Sequence, residues 1–332
     1  MSAAIVVDAR KGSVLYSYNS DARTQPASIA KMMTLFIIFK ALKQKKISLY
    51  SMIKISPHAA AQAPCKLGLK CGSFISVRDA ILSLVTQSAN DIAVALAEFG
   101  AGGSEQRFVS MMNKEAKRLK MNSTVFLNPS GWKNAQQVTT AHDIAKLSMA
   151  ILKECPDYYN IFSTKEFAFN KKVYKNHNTL LGSQDGIVVD GIKTGFVNAS
   201  GYNIAVSARK GKDRIIVVVL GGRSGAQRDM QAKTLLKEGF LCLSTYKKSA
   251  MLVKNYKNPK IIPEKQKKVP VKQGKALVDA TLPQLPLPQT KTYNVKWYNR
   301  DLMGHSRLFE NISKDLKTTQ QSHSVTRRIL GE

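Results

Sequence analysis

The chain contains no apolar run near the roughly 18 residues that a membrane-spanning helix needs. The longest, Met32 to Phe39, is far shorter and reads as a buried helix. Acidic residues are scarce: 22 Asp and Glu stand against 51 Lys and Arg, a formal charge of +29 over 332 residues. Such an excess suits nucleic acid, anionic lipid or an acidic polymer as partner. No zinc finger, RNP word or aromatic-basic stripe accompanies it, so nucleic acid is not expected. Anionic wall polymer or membrane surface fits better, and a lysine-rich composition with no partner is the plain alternative. Cysteines number four: Cys65, Cys71, Cys155 and Cys242. None forms a Cys-x-x-Cys pair, so no metal site is expected, and no cofactor either. Cys65 and Cys71 flank Lys66 to Lys70, a short loop that a disulfide can close in an oxidising compartment; free thiols are the other reading. Cys155 and Cys242 read as buried thiols. The N-terminus lacks the long apolar stretch and small-residue cleavage site of a secretory leader. Ala3 to Val7 reads instead as a strand entering a turn at Gly12.

Three short words are present, in a fixed order: Ser28-Ile29-Ala30-Lys31, Ser88-Ala89-Asn90 and Lys193-Thr194-Gly195. They supply a hydroxyl nucleophile, an amine to deprotonate it, a second hydroxyl, an amide and a cation. Those are parts for acyl transfer without metal or histidine. Each word alone is weak. Ser-x-x-Lys recurs at Ser51/Lys54, Ser130/Lys133, Ser207/Lys210 and Ser244/Lys247, and Ser-x-Asn recurs at Ser17/Asn19. Order, spacing and flanking residues carry the weight.

The trio is the one shared by penicillin-binding proteins and class A β-lactamases. Its flanks narrow the likeness. Gln25 to Thr34 resembles the nucleophile segment of D-alanyl-D-alanine carboxypeptidases, the low-molecular-weight penicillin-binding proteins. Ser88 to Glu98 is similar to their second motif. Asp190 to Phe196, followed by Ala199 to Asn203, resembles their third. Phe126-Leu127-Asn128-Pro129-Ser130-Gly131 resembles their Asn-Pro-x-Gly turn. The likeness runs from about Ala4 to about Thr245.

Along the chain, Ile5 to Val7 and Val14 to Tyr18 read as a hairpin. A helix is predicted to begin near Ser28 behind Pro26 and to continue to Leu42. Ser28 and Lys31, three apart, then share one helix face. Val77 to Glu98 reads as buried helix interrupted near Ser88, and Ser104 to Leu119 and Ala141 to Leu152 as further helices. Glu166 to Phe169, Ile187 to Thr194, Asn203 to Ala208 and Arg214 to Leu220 read as strands, and Arg228 to Phe240 as a closing helix. The class is α+β. The resemblance implies a five-stranded antiparallel sheet flanked by helices, plus an all-helical cluster. We expect a catalytic domain over residues 1–245. A basic, Pro- and Lys-rich tail over 246–332 is expected to be extended or disordered, with a short ordered piece around Tyr293 to Tyr298.

The resemblance implies a serine-type carboxypeptidase that removes the terminal D-alanine of peptidoglycan stem peptides through an acyl-enzyme. It implies inhibition by β-lactams and work in the periplasm or elsewhere outside the cytoplasmic membrane, with membrane association left open. Ser28 is the expected nucleophile and Lys31 its base. Lys31 can act only as a neutral amine, which burial and a nearby Lys193 favour. Ser88 is expected to relay a proton and Asn90 to hold the peptide and the Lys31 amine; helix capping is the structural alternative for both. Lys193 and Thr194 suit a terminal carboxylate. Gly195 is expected to leave the strand edge bare for a substrate peptide. Arg228 falls where relatives carry an arginine near that carboxylate, or is a solvated residue at a helix start. The backbone N–H groups of Ser28 and Phe196 are the implied oxyanion hole. His177 stands where some relatives have an arginine, which puts a substrate role there in doubt. Glu166 and Asn170 match the spacing by which class A β-lactamases position a hydrolytic water, but their setting reads as strand and turn. A D,D-endopeptidase, a β-lactamase and a silent wall-binding protein are the competing readings.

Overall fold

The computed structural model describes residues 1–256 and 295–296. Strands β1 (Ala3–Asp8) and β2 (Val14–Tyr18) form the opening hairpin. Helix α1 (Lys31–Lys43) follows a 3-10 turn at Ala27–Ala30. A helical region comes next: β3 (Met52–Lys54), α2 (Pro57–Ala60), β4 (Phe74–Ser76), α3 (Val77–Val85), α4 (Asn90–Gly100), α5 (Glu105–Arg118), α6 (Ala141–Glu154) and α7 (Pro156–Tyr159). Hairpin β5 (Glu166–Phe169) and β6 (Lys172–Lys175) leads into β7 (Gly182–Gln184), β8 (Ile187–Val197), β9 (Gly201–Lys210) and β10 (Asp213–Gly222). Helix α8 (Gly225–Tyr256) closes the domain, and β11 (Val295–Lys296) pairs with β2.

The sheet runs β11-β2-β1-β10-β9-β8-β7, and every pairing is antiparallel. The five expected strands are its middle, and two short edge strands extend it. Both faces are covered, which explains why Ile215 to Leu220 is an unbroken apolar run rather than an alternating one. Ile216, Val218 and Leu220, with Ile5 and Val7 beside them, face the core built by α1, α3, α4 and α6. Their neighbours Ile215 and Val6 lie under Gly239 of α8, where even a Cβ would come within 2.9 Å of both side chains.

Helix ends follow local chemistry. Ser76, Ser104 and Thr140 each accept the N–H three residues on, capping α3, α5 and α6. The closing helix is longer than its apolar pattern predicts and crosses position 245. The first residues of the expected tail, 246–256, lie in α8 and are helical rather than extended; of the rest, Val295 and Lys296 are the described residues, inside the piece expected to be ordered. Cys65 and Cys71 are free and exposed, Cys155 is buried and Cys242 half-buried. The loop after Cys65 is held by Asp91, whose carboxylate accepts the N–H groups of Leu67 (3.1 Å) and Gly68 (2.9 Å).

Candidate active site

The three sequence words converge where the start of α1, the α3–α4 junction and β8 meet. Ala27, just before Ser28, has a positive φ of 49°. The turn that follows is a 3-10 turn, tighter than the α-helical start expected. It leaves Ser28 half-buried and turns Lys31 wholly inward. The Lys31 Nζ donates to Ser28 Oγ (3.0 Å), to Asn90 Oδ1 (2.7 Å) and to the Ser130 carbonyl (2.6 Å). An ammonium has three protons to give, and all three have acceptors here. Burial, reinforced by the charge of Lys193, holds the Lys31 ammonium well below its ordinary range.

The turn Asn128–Gly131 is the floor under this lysine, a role the sequence did not disclose. Its Pro129 carbonyl accepts Thr34 Oγ1 (2.7 Å) while the next carbonyl takes Lys31. Asn128 Oδ1 accepts the Gly131 N–H at 2.7 Å, closing the turn. Gly131 has a φ of 78°, and a Cβ there would overlap the Ala27 carbonyl, so only glycine fits. Backbone carbonyls leave no trace in a residue pattern. The one usable signal was the Asn-Pro-x-Gly word itself.

At the second word, neither Ser88 nor Asn90 caps a helix: the N-cap of α4 is Ala89, with no side-chain bond. Ser88 has a φ of 60° and is 4% exposed, and its Oγ has no partner among the described residues. A buried hydroxyl left unpaired costs about 1–3 kcal/mol, so its retention needs a reason beyond packing. Asn90 is fully used: besides Lys31, its Nδ2 donates to the Ala63 and Pro64 carbonyls (3.1 Å each).

The third word lies on β8. Lys193 and Thr194 are 2% and 5% exposed. Lys193 Nζ donates to the Thr194 carbonyl at 3.1 Å. Burial first, with the nearby Arg228 cation assisting, pushes this lysine down to about 7. Gly195 also answers to a packing constraint that the sequence did not show. A Cβ on it would sit 3.1 Å from the backbone nitrogens of Ser28 and Ile29, so its bareness lets β8 pass against the nucleophile turn. Phe196 is half-exposed and packs on Tyr202, ring centroids 4.4 Å apart. Arg228 is no solvated residue. It is 6% exposed and ion-paired to Asp229 at 2.7 Å. Glu166 lies across from Lys175 on the exposed β5–β6 hairpin, and Asn170 forms its turn. Neither hydrogen-bonds to Ser28, Lys31 or Ser88 among the described residues. No group of His, Cys, Asp or Glu side chains among those residues is arranged to hold a metal ion.

A serine beside a buried, three-fold-bonded lysine, with a second buried lysine on the adjoining strand edge, is an arrangement chemically suited to serine acyl transfer. The chain belongs to the D-alanyl-D-alanine carboxypeptidase family, which it matches over residues 1–224. It is 37% identical over 247 residues to the D-alanyl-D-alanine carboxypeptidase DacC of Escherichia coli, covering 73% of this chain but only 61% of that relative. Among solved structures it is similar to penicillin binding protein 5 from Haemophilus influenzae, at 36% identity and a TM-score of 0.69, covering 72% of this chain and 70% of that one. It is also similar to penicillin-binding protein D2 from Listeria monocytogenes in its cefotaxime-bound form, at 30% identity and a TM-score of 0.65, covering 72% and 96% of the two chains.

Proposed function

We propose that this chain is a serine-type D-Ala-D-Ala carboxypeptidase that trims the terminal D-alanine from peptidoglycan stem peptides and is acylated by penicillin. The observation that carries this reading is the 3.0 Å contact between Lys31 Nζ and Ser28 Oγ inside a site that suppresses the lysine's charge. In the neutral state the amine accepts the hydroxyl proton as Ser28 Oγ bonds to the penultimate carbonyl carbon. The N–H groups of Ser28 and Phe196 receive the oxyanion. The carbon–nitrogen bond then breaks as Ser88, whose Oγ has no partner among the described residues, passes a proton to the departing D-alanine amine. Water reverses the sequence, freeing the shortened peptide and restoring the serine. Asn90 holds Lys31 and the peptide. Lys193, Thr194 and Arg228 receive the chain-end carboxylate.

Residues 1–245 form the catalytic domain in this proposal. The basic tail over 246–332 contacts anionic wall polymer or membrane surface, and the enzyme works outside the cytoplasmic membrane in wall maintenance. Intact-mass analysis after incubation with benzylpenicillin, followed by peptide mapping, tests the reading. One penicilloyl group on Ser28 is expected, absent in Ser28→Ala. An adduct on Ser51 or Ser130, or no adduct, overturns the assignment.

A further inference from the structure

The two-stranded ladder β3–β4 is apolar on both faces, where a strand pair at the surface ordinarily turns polar side chains outward. Its register sets Ile53 opposite Ile75, and both are buried in the core. Strand alternation turns Met52 and Lys54 of β3 and Phe74 of β4 the other way. Met52 is 54% exposed, Phe74 56%, and Tyr50, two residues before Met52, 83%. Met52 stands opposite Ser76 and Lys54 opposite Phe74, so Met52 and Phe74 are diagonal neighbours on one outward face. The turn carrying Tyr50 is tied to the start of α3: the Ser51 carbonyl accepts the Val77 N–H and the Leu49 carbonyl the Arg78 N–H, both at 2.9 Å. One exposed apolar side chain needs no explanation, but three adjoining ones mark a contact surface.

The charge around this face is of one sign. From Ala22 to Arg78 the chain holds no Asp or Glu and ten Lys and Arg. Lys45 and Lys46 ahead of Tyr50, Lys54 beside Phe74, and Lys66 and Lys70 in the loop before β4 are all exposed. The Lys70 carbonyl accepts the Ser73 N–H (3.1 Å), which holds that loop next to Phe74. The acids that neighbouring elements bring are already engaged. Asp79 pairs with Arg78 (3.2 Å), Glu105 with His58 (2.6 Å), and Asp91 accepts the N–H groups of Leu67 and Gly68. We propose that the outer face of β3–β4 docks on an anionic phospholipid bilayer, with Tyr50, Met52 and Phe74 entering the headgroup layer and the surrounding lysines meeting lipid phosphates. Lysine is depleted from protein–protein interfaces, whereas aromatic and apolar side chains ringed by lysine suit a bilayer surface. A purely polar polyanion engages the lysines but leaves Met52 and Phe74 without a partner. Near an anionic membrane each lysine is worth about fivefold in affinity. No helix among the described residues is long and apolar enough to cross a membrane, so this contact is peripheral. It belongs to the folded domain and is separate from any contact made by the tail.

Binding of the full chain to phosphatidylglycerol vesicles tests this, with Phe74→Trp as a local reporter. Brominated phosphatidylcholine mixed into the vesicles should quench the added tryptophan beyond the quenching seen in the wild type, a signal that the tail cannot produce. Met52→Ser combined with Phe74→Ser should lower vesicle affinity about tenfold, by loss of buried apolar area. Lys45→Ser, Lys46→Ser and Lys54→Ser together should lower it about a hundredfold at low salt, a loss that shrinks as salt screens the charges. All these positions are exposed, and the variants should keep the wild-type melting transition. Vesicle binding without quenching of the added tryptophan overturns the proposal and leaves the binding to the tail. Unchanged affinity in the Met52/Phe74 variant overturns it as well. A lysine variant that loses binding to soluble polyphosphate while binding vesicles like the wild type assigns the face to a polyanion instead.

Discussion

The start of α1 and the middle of β8 each bury a lysine, and they treat it in opposite ways. At α1, Lys31 finds acceptors from three separate segments, a serine hydroxyl, an asparagine and a backbone carbonyl. On β8, Lys193 reaches, among the described residues, a single carbonyl, that of its own neighbour Thr194. Both are stripped of water, and both are displaced toward the neutral amine by burial. The saturated lysine is clamped in one position against a hydroxyl, which suits proton transfer. The sparsely bonded lysine has protons left for an incoming anion, which suits recognition. In the proposed reaction, two chemically identical side chains take different tasks because of their acceptor count and the charges that lie beside them.

Removing Lys31 is expected to have the largest effect on activity. Lys31→Ala should slow acylation by a fluorescent penicillin by about 10²–10⁴-fold, the usual range for a general base. It should also lower the melting temperature, because Asn90 Oδ1 and the Ser130 carbonyl lose their buried donor. Acylation at the wild-type rate would erase the contrast between the two lysines.

Removing Lys193 should act on selectivity. In the wild type, amidating the substrate's terminal D-alanine should cost roughly ten- to a hundredfold in kcat/KM, the worth of a charge-assisted hydrogen bond. In Lys193→Ala the same amidation should cost far less, since the interaction is already gone. The acid-to-amide ratio also carries a pH signature. Lys193 sits at about 7 in the free protein, and a bound carboxylate raises that value. Preference for the acid should therefore be full below pH 7 and fade as pH rises through the bound value. Measuring the ratio rather than either rate cancels the titration of Lys31. A preference that grows with pH would assign the carboxylate to another group.

The smallest effect is expected away from both lysines. Glu166→Ala should leave deacylation of the penicilloyl enzyme unchanged, because Glu166 lies on the exposed hairpin opposite Lys175. A clear fall in turnover of a chromogenic cephalosporin would bring Glu166 into the chemistry and favour a β-lactamase.

Much of this was legible in the residues. The interruption of helix at Ser88 is where α3 ends and α4 begins, and Glu166–Phe169 is strand β5 as its alternation predicts. Three-residue strands such as β3, β4 and β7 went unseen because so short a stretch holds no period to detect. Arg228 was left between a functional and a solvated reading. Its burial against Gly222, with Asp229 as partner, removes the solvated reading. Gly195 was read for the strand edge it leaves bare; that it also sits against the backbone of Ser28 and Ile29 is seen only in the fold.

What the sequence determined by itself is local: Ser28 and Lys31 lie one turn apart because helical geometry brings residues three apart to one face. Gly131 can take the left-handed backbone its turn needs because it lacks a Cβ. What only the tertiary structure decided is the environment of each group. Asn90 lies 59 positions from Lys31 and the Ser130 carbonyl 99, yet all three meet at one amine. The displacement of Lys31, Lys193 and His177 from their ordinary titration depends on exclusion of water and on charges brought in by β8, α8 and α1. Desolvation and Coulomb interactions act through space rather than along the chain, so no reading of neighbours in sequence supplies them.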